Sequence, residues 1–588
     1  MCGIAGIVAA PDTALPNGIQ LDALRGALAH RGPDGGGHTA VGGVALVHTR
    51  LAIIDVAGGD QPLYAGAAAL VGNGEIYNYR ELYREFPGVN FTTGSDNELA
   101  LHVWLRDGAS YGDHLRGMYA IAIHERAART VTLSRDPFGI KPLYVVQTGS
   151  GLAFASEPQA LLAAGYGERR VRAAARDELF QVQFTTGAET IFPGIHRVLP
   201  GETLTCRDGK VLERRRISAV PDGAPEEIDE KQALERLDAA LTESVDLHQR
   251  SDVPYGMFLS GGIDSATILT LMSRLNDTPV LAFTAGFAHG GVADEREGAA
   301  RVAKSLGAEH DAIEVTQAMV WEHLPAIVAC MDDPAADYAI IPTWFLARRA
   351  REAGMKVVLA GEGGDEIFAG YSRYRSAARP WWRGGRVMRG RGNFDRLDVL
   401  RERPAAWRDG IAAADAEAGV PGRSRLAAAQ AADMADWLPH DLLTKLDRCL
   451  MAHAIEGRTP FLDPGVAKAA FRLPDGLKVQ QGMGKYILRQ WLAKNCPAAN
   501  PFGPKQGFTV PMGQWIGEKG DRLGPLVAAQ PGVAEIAKPG RVEALFRASN
   551  HRRHGFGSWV LLFYALWHNA HILGRPIGGN VYEALATA

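Results

Sequence analysis

A cysteine placed directly behind the initiator methionine is a chemical opportunity. With Met1 removed, Cys2 carries a free α-amine beside its own thiol. That amine has a pKa near ~7.7 and can take the thiol proton without a histidine partner. A buried, inert side chain is the commoner fate of a lone cysteine, so Cys2 needs company before it counts. A second opportunity lies at Ser260-Gly261-Gly262-Ile263-Asp264-Ser265. A glycine turn at a helix start offers backbone N–H groups and a positive dipole end to phosphate. No Gly-Lys-Ser/Thr accompanies it, which argues against γ-phosphate transfer by a Walker loop. Another glycine-rich run, Ala360-Gly361-Glu362-Gly363-Gly364-Asp365-Glu366, places three acids close together.

These groups must be held by regular elements. Short apolar runs bounded by Gly, Asn or charged residues predict strands at Val44–Val47, Ala68–Val71, Tyr119–Ile123, Thr130–Leu133, Leu143–Val146 and Leu152–Ala155. Helical periodicity there is confined to segments such as Asn97–Leu105. A sheet-rich first part follows. The polar stretch Ser218–Asp229 reads as linker. Beyond it, strands are predicted at Pro254–Leu259, Pro279–Thr284, Ala312–Val315 and Lys356–Ala360, with helices at Asp264–Arg274 and Glu295–Leu306. Strands alternating with helices imply a doubly wound parallel sheet, with ligands at the strand C-termini. From about Pro439 onward the pattern is mostly helical.

The company of Cys2 is a series of short motifs: Met1-Cys2-Gly3-Ile4-Ala5-Gly6, His30-Arg31-Gly32-Pro33-Asp34, Arg50-Leu51-Ala52-Ile53-Ile54-Asp55, Asn73-Gly74-Glu75-Ile76-Tyr77-Asn78 and Thr93-Gly94-Ser95-Asp96. Together they resemble the glutaminase domain of the class II, N-terminal-nucleophile glutamine amidotransferases. The Ser260–Ser265 loop resembles the pyrophosphate loop of the ATP pyrophosphatases, and the run from Ala360 resembles the matching motif of asparagine synthetases. Met451-Ala452-His453, Arg458-Thr459-Pro460-Phe461-Leu462-Asp463, Gly484-Lys485-Tyr486 and Lys505-Gln506-Gly507-Phe508 are family-like too. The resemblance implies a glutaminase domain over 1-210, a linker over 211-235 and a synthetase domain over 236-580. It implies a sandwich of antiparallel sheets with flanking helices, then the doubly wound sheet with a helical C-terminal part.

On that resemblance, attack on glutamine builds an oxyanion for which the Asn73 side chain and the Gly74 N–H are suitable donors. Arg50 can grip the glutamine α-carboxylate in a fork, and Asp96, helped by Glu75, can pair with the α-ammonium. Leu51, Ile53 and Ile54 belong to the same glutamine-binding motif. For ATP, the resemblance implies contacts from Leu259, Ser260, Gly261, Gly262, Ser265, Ala285, Ala360 and Gly361. It implies Mg²⁺ held by Asp264 and Asp365, a pair of carboxylates suited to a hard cation. It implies that Glu362 helps form an acyl-adenylate, and Lys485 is the natural cation to stabilise pentavalent phosphorus or pyrophosphate. An internal ammonia channel and a homodimer are further implications. His453 has no nucleophile or carboxylate spaced for it and reads as a structural helix histidine.

The expected reaction is amide transfer from glutamine to an adenylated aspartate β-carboxylate, with MgATP consumed to AMP and pyrophosphate. The acceptor stays open. One branch of asparagine synthetases has a Thr-Thr pair near the position where this chain has Ile340 and Ile341, and Glu-Gly-Arg-Thr-Pro stands where Glu-Val-Arg-Val-Pro is commoner. A carboxylate on a peptide, a sugar acid or a secondary metabolite is the alternative.

Composition agrees. The 588 residues exceed one ordinary core, and 46% hydrophobic with 22% charged residues fits a globular chain. A formal net charge of -3 gives no reason to expect nucleic acid or an anionic membrane as partner. The Arg-rich segment from Arg373 to Arg408 reads as a solvated insertion. Five separated cysteines without a CxxC spacing predict neither zinc site nor disulfide framework. No run of 18 apolar residues and no basic, apolar leader is present, so a cytoplasmic location is expected.

Overall fold

The computed structural model describes residues 2–287, 295–503, 510–576 and 578–586. The Lys505-Gln506-Gly507-Phe508 motif lies outside them. Twelve strands build the first part. They are β1 (Gly3–Ala9), β2 (Gly35–Val41), β3 (Val44–Arg50), β4 (Leu63–Ala65), β5 (Ala68–Ile76), β6 (Gly117–Glu125), β7 (Thr130–Arg135), β8 (Tyr144–Thr148), β9 (Gly151–Ala155), β10 (Ile195–Arg197), β11 (Glu202–Arg207) and β12 (Lys210–Arg216). They form two antiparallel six-stranded sheets, ordered β10-β8-β9-β1-β3-β2 and β12-β11-β7-β6-β5-β4.

The sheets pack face to face. Ile4, Val8, Leu46, Val71, Ala122 and Phe154 are fully buried in one cluster, as the alternation of inward side chains requires. The outer face of the second sheet is covered by the helix Asp96–Asp107, which buries Leu99, Leu101 and Val103. Strand β12, Lys-Val-Leu-Glu-Arg-Arg-Arg, has almost no inward apolar residue and survives as a paired edge strand. That is why its sequence carries little strand signal.

No regular element spans 217–229, and the helix Glu230–His248 then opens the second part behind an Asp229 capping box. Among the described residues its main sheet has five strands, β13 (Tyr255–Phe258), β14 (Leu281–Gly286), β15 (Glu309–Glu314), β16 (Val357–Leu359) and β17 (Glu456–Arg458). All pairings within this sheet are parallel and the order is β15-β14-β13-β16-β17. The chain winds outward on one side from β13 and on the other from β16. The loops after β13 and β16 therefore meet at the topological switch point, where such sheets hold ligands.

The helical region begins well before Pro439, with Asp409–Ala418 and Arg425–Ala432, and continues through a π-helical stretch, Asp433–Leu442. The Arg-rich segment is only in part a solvated surface. Arg379, Arg383, Arg386 and Arg391 are exposed. Arg373 and Arg389 instead pair with the fully buried Asp433 carboxylate at 2.7 and 2.5 Å, and Arg373 stacks over Tyr371 and Trp437. A buried carboxylate needs such partners, and sequence alone does not reveal it. The longest helix, Arg552–His571, is buried nearly all round, and its Trp559 and Trp567 indoles donate to the Ala336 and Met331 carbonyls. Among the described residues no helix is long and apolar enough to cross a membrane.

Candidate active sites

The first site forms where the two sheets of the sandwich approach one another. Cys2 is buried and immediately precedes β1, which lies between β3 and β9. Its N–H donates to the Asn73 Oδ1 at 3.1 Å, and its carbonyl accepts from the Arg31 Nε at 3.1 Å. Burial pushes the Cys2 thiol up, and a hydrogen bond from the Leu51 N–H to the sulfur works the other way. Asn73 is fully buried, and its Nδ2 has no partner among the described residues. A buried donor left unmade costs roughly 1–3 kcal/mol. Its retention beside Cys2 is what a site awaiting an oxygen ligand looks like. Gly74 is obligatory for a different reason. Its φ is +152°, and an added Cβ would stand 2.0 Å from the Met118 carbonyl oxygen on β6. Only glycine brings the 74 N–H into this position.

Arg50 ends β3, and the loop that follows cradles it. Its Nη2 donates to the Asp55 carbonyl at 2.6 Å, and its Nη1 donates to the Val56 carbonyl at 3.1 Å and the Asp60 carboxylate at 2.9 Å. Leu51, Ile53 and Ile54 are buried beside it. Asp96 opens a helix behind the Ser95 cap and accepts from the Ile76 N–H at 2.6 Å and the Asn97 side chain at 3.2 Å. Burial still pushes Asp96 up to about 6. Glu75 is raised well above the carboxylate range by burial, then by Asp96 and Glu456, with Arg458 opposing. Arg458 comes from β17 of the other half and lies 3.7 Å from the Glu75 carboxylate.

The second site forms at the switch point. Gly262 is the cap of the helix Ile263–Leu275, its N–H donating to Ser260 Oγ at 3.1 Å, and the Ser265 hydroxyl ties back to Ser260. Leu259, Ala285 and Ala360 are buried at the strand ends, and the Thr284 hydroxyl donates to the Leu259 carbonyl at 2.7 Å. A Cβ on Gly361 would lie 3.1 Å from the Ser265 nitrogen, so the two glycine-rich loops are in close contact. Lys485 bridges Asp264 and Asp365, with Nζ at 2.5 and 2.8 Å from their carboxylates. Gly370 makes room for this bridge: a Cβ there would stand 1.8 Å from Asp365 Oδ1 and 2.2 Å from Lys485 Cε. Gly261, Asp264, Asp365, Lys485 and Arg489 line one cleft. Two carboxylates bracketing one cation are a donor set that fits Mg²⁺ when phosphate oxygens complete the shell. Among the described residues no cluster of three or more potential ligands exists.

Glu362 follows on the same loop and is raised by burial, against the charge of Lys445. Lys445 pairs with Asp337 at 3.1 Å. Asp441, pushed up to about 7 by burial and then by Asp337, accepts from the Trp437 indole at 2.7 Å, while its Oδ1 has no partner among the described residues. Trp437 and Asp441 belong to the π-helical stretch, a conformation common at functional sites. Ile340 and Ile341 are fully buried core residues in the first turn of the helix Ile340–Glu352. His453 is not a helix residue but lies in the turn just beyond the helix Leu443–Met451, and it packs edge-on against Trp344 with 4.4 Å between ring centroids.

A buried ionic lattice joins the halves. Arg31 pairs with Glu157 at 2.6 Å and Asp447 at 2.7 Å, and Arg448 pairs with Asp447 at 2.9 Å and Asp332 at 2.7 Å. Arg31, Arg458, Lys445, Asp441 and this lattice carry no role in the sequence reading. Arg31 and Asp447 are 416 residues apart, so no local pattern could pair them.

Comparison with known proteins follows the same division. A glutamine amidotransferase domain model matches residues 1–216, and an asparagine synthase model matches residues 236–569. A putative glutamine-hydrolysing asparagine synthetase of Mycobacterium tuberculosis is 35% identical, over 97% of both chains. Asparagine synthetase [glutamine-hydrolyzing] 1 of Bacillus subtilis is 31% identical over 93% of both. An amidase of Penicillium rubens, chyE, is 30% identical over 64% of this chain and 60% of its own.

Proposed function

The chain belongs to the asparagine synthase family, and from that premise we propose that it makes asparagine from aspartate, with glutamine as amide donor and ATP as driving substrate. The observation that carries this reading is the pairing of two sites in one molecule: Cys2 beside Asn73, whose Nδ2 has no partner among the described residues, and Lys485 between Asp264 and Asp365.

In the first half-reaction the Cys2 sulfur attacks the glutamine side-chain carbonyl, the α-amine exposed by loss of Met1 taking the thiol proton. Asn73 Nδ2 and the Gly74 N–H hold the oxyanion, a contact made only as charge develops. Ammonia leaves, and water cleaves the thioester to glutamate. Arg50 and Asp96 orient the amino-acid end. In the second half-reaction an aspartate β-carboxylate oxygen attacks the α-phosphorus of ATP and pyrophosphate departs toward Lys485 and the Gly261–Gly262 turn. Ammonia then attacks the acyl carbon and AMP leaves. Asp264 and Asp365 would hold Mg²⁺, which when bound offsets phosphate charge.

An amino-acid acceptor is supported by the charges beyond Glu362. Three acids, Glu362, Asp337 and Asp441, act on one cation, Lys445, and among the described residues Asp441 Oδ1 has no partner. Burial raises Glu362 and Asp441, and an α-ammonium beside them would restore their ionised forms, which a sugar acid does not do. The test is Cys2→Ala. It should abolish synthesis from glutamine and leave synthesis from ammonium salts intact. Loss of both in a folded variant would refute the division of labour.

A further inference from the structure

Asp55 joins the two loops that would recognise the amino-acid end of glutamine. Its φ of +48° is unusual for a residue with a side chain and must be held in place. Its carbonyl accepts from the Arg50 Nη2 at 2.6 Å and from the Gly59 N–H at 2.9 Å. Its carboxylate accepts from the Gly58 N–H at 3.1 Å and from the Gly94 N–H at 2.8 Å. Gly94 lies in the turn that leads into Asp96. One residue thus fixes the Arg50 cradle and the approach to Asp96 together.

The remaining polar group of the Asp55 backbone, its N–H, is held from the other half of the molecule. It donates to the Asp252 carboxylate at 2.8 Å, and the Asp252 N–H donates in return to the Ile53 carbonyl at 3.1 Å. These two bonds clamp the segment Ile53–Asp55 to a residue 197 positions away, three residues ahead of β13 and its phosphate-facing turn. Resting on the assignment of the Cys2 site to glutamine, we infer that Asp252 is a positioning residue of the glutaminase. It touches no substrate and acts by holding Asp55, and through it Arg50 and the Asp96 turn, in the geometry that binds the amino-acid end.

The test compares full-length Asp252→Ala and Asp252→Asn with the native chain in glutamine hydrolysis and in synthesis from ammonium salts. For the alanine variant we expect a rise of about five- to tenfold in KM for glutamine, kcat within twofold, and unchanged ammonium-dependent synthesis. The asparagine variant keeps an acceptor oxygen and should return KM to within about twofold of native. An alanine variant with native KM overturns the inference, as does an asparagine variant as impaired as alanine. Parallel loss of ammonium-dependent synthesis would mark a merely structural role and overturn it too. A native chain that hydrolyses no glutamine fails earlier, at the site assignment, and takes the positioning role with it.

Discussion

Replacing Asn73 by alanine separates the two duties of that side chain from everything else in the molecule. Asn73 Oδ1 accepts from the Cys2 N–H, which orients the nucleophile, and Nδ2 is a buried donor with no partner among the described residues. Loss of Nδ2 removes one of two oxyanion donors, and removal of one such donor typically costs about 10²–10³ in kcat, or roughly 2.7–4 kcal/mol. In the ground state the variant should lose little stability through Nδ2, because that atom makes no hydrogen bond to any described residue. The lost Cys2 contact adds about 0.5–1.5 kcal/mol. The expected outcome is a drop of at least about 10²-fold in kcat for glutamine hydrolysis, with KM for glutamine within about threefold. Synthesis from ammonium salts should be unaffected, because Asn73 lies on β5, remote in the chain from the loops after β13 and β16. The assay is steady-state glutamate release, paired with asparagine formation from ammonium chloride. A variant that keeps kcat within about threefold would refute the oxyanion role. One in which KM alone rises would assign Asn73 to ground-state binding.

Other consequences follow from charge and burial. Asp96 titrates near about 6 because burial disfavours its carboxylate. It is ionised above that pH and neutral below it, so kcat/KM for glutamine should fall about tenfold per unit below pH 6, and in Asp96→Asn that limb should vanish from a uniformly weak profile. Lys485→Gln should slow pyrophosphate release by about 10²-fold while glutamine hydrolysis stays within twofold, since its Nζ bridges the Asp264 and Asp365 carboxylates of the second site. Arg448→Met strands Asp332 and should destabilise the folded chain by about 3–5 kcal/mol in denaturant titration. The exposed pair Arg106–Glu85 is the control, with Arg106→Ala expected to cost less than about 1 kcal/mol.

The parts of the structure readable from the sequence are those encoded locally. Cys2, the Asn73-Gly74 pair and the Ser260–Ser265 turn are short contiguous motifs, and the strands from Val44 and Tyr119 are apolar runs with clear ends. What stayed hidden depends on distant partners. Glu75 meets Arg458, Arg31 meets Asp447 and Asp55 meets Asp252 across stretches that no window of residues spans. Strand β2, Gly-Gly-Gly-His-Thr-Ala-Val, lacks an apolar face and is held by β3 alone. The sequence pattern turns helical only at about Pro439, inside the π-helical turn Asp433–Leu442 that brings Trp437 to Asp441. The Arg-rich segment misled for the same reason: the acid that draws Arg373 and Arg389 inward, Asp433, lies dozens of residues later.

Aspartate as acceptor is tested most directly by pyrophosphate release from MgATP and glutamine, measured with and without aspartate and paired with product analysis. Release should require aspartate, with asparagine, glutamate and pyrophosphate formed in equal amounts. Glutamine hydrolysis with no aspartate-dependent pyrophosphate would contradict aspartate as acceptor and direct the search to another carboxylate.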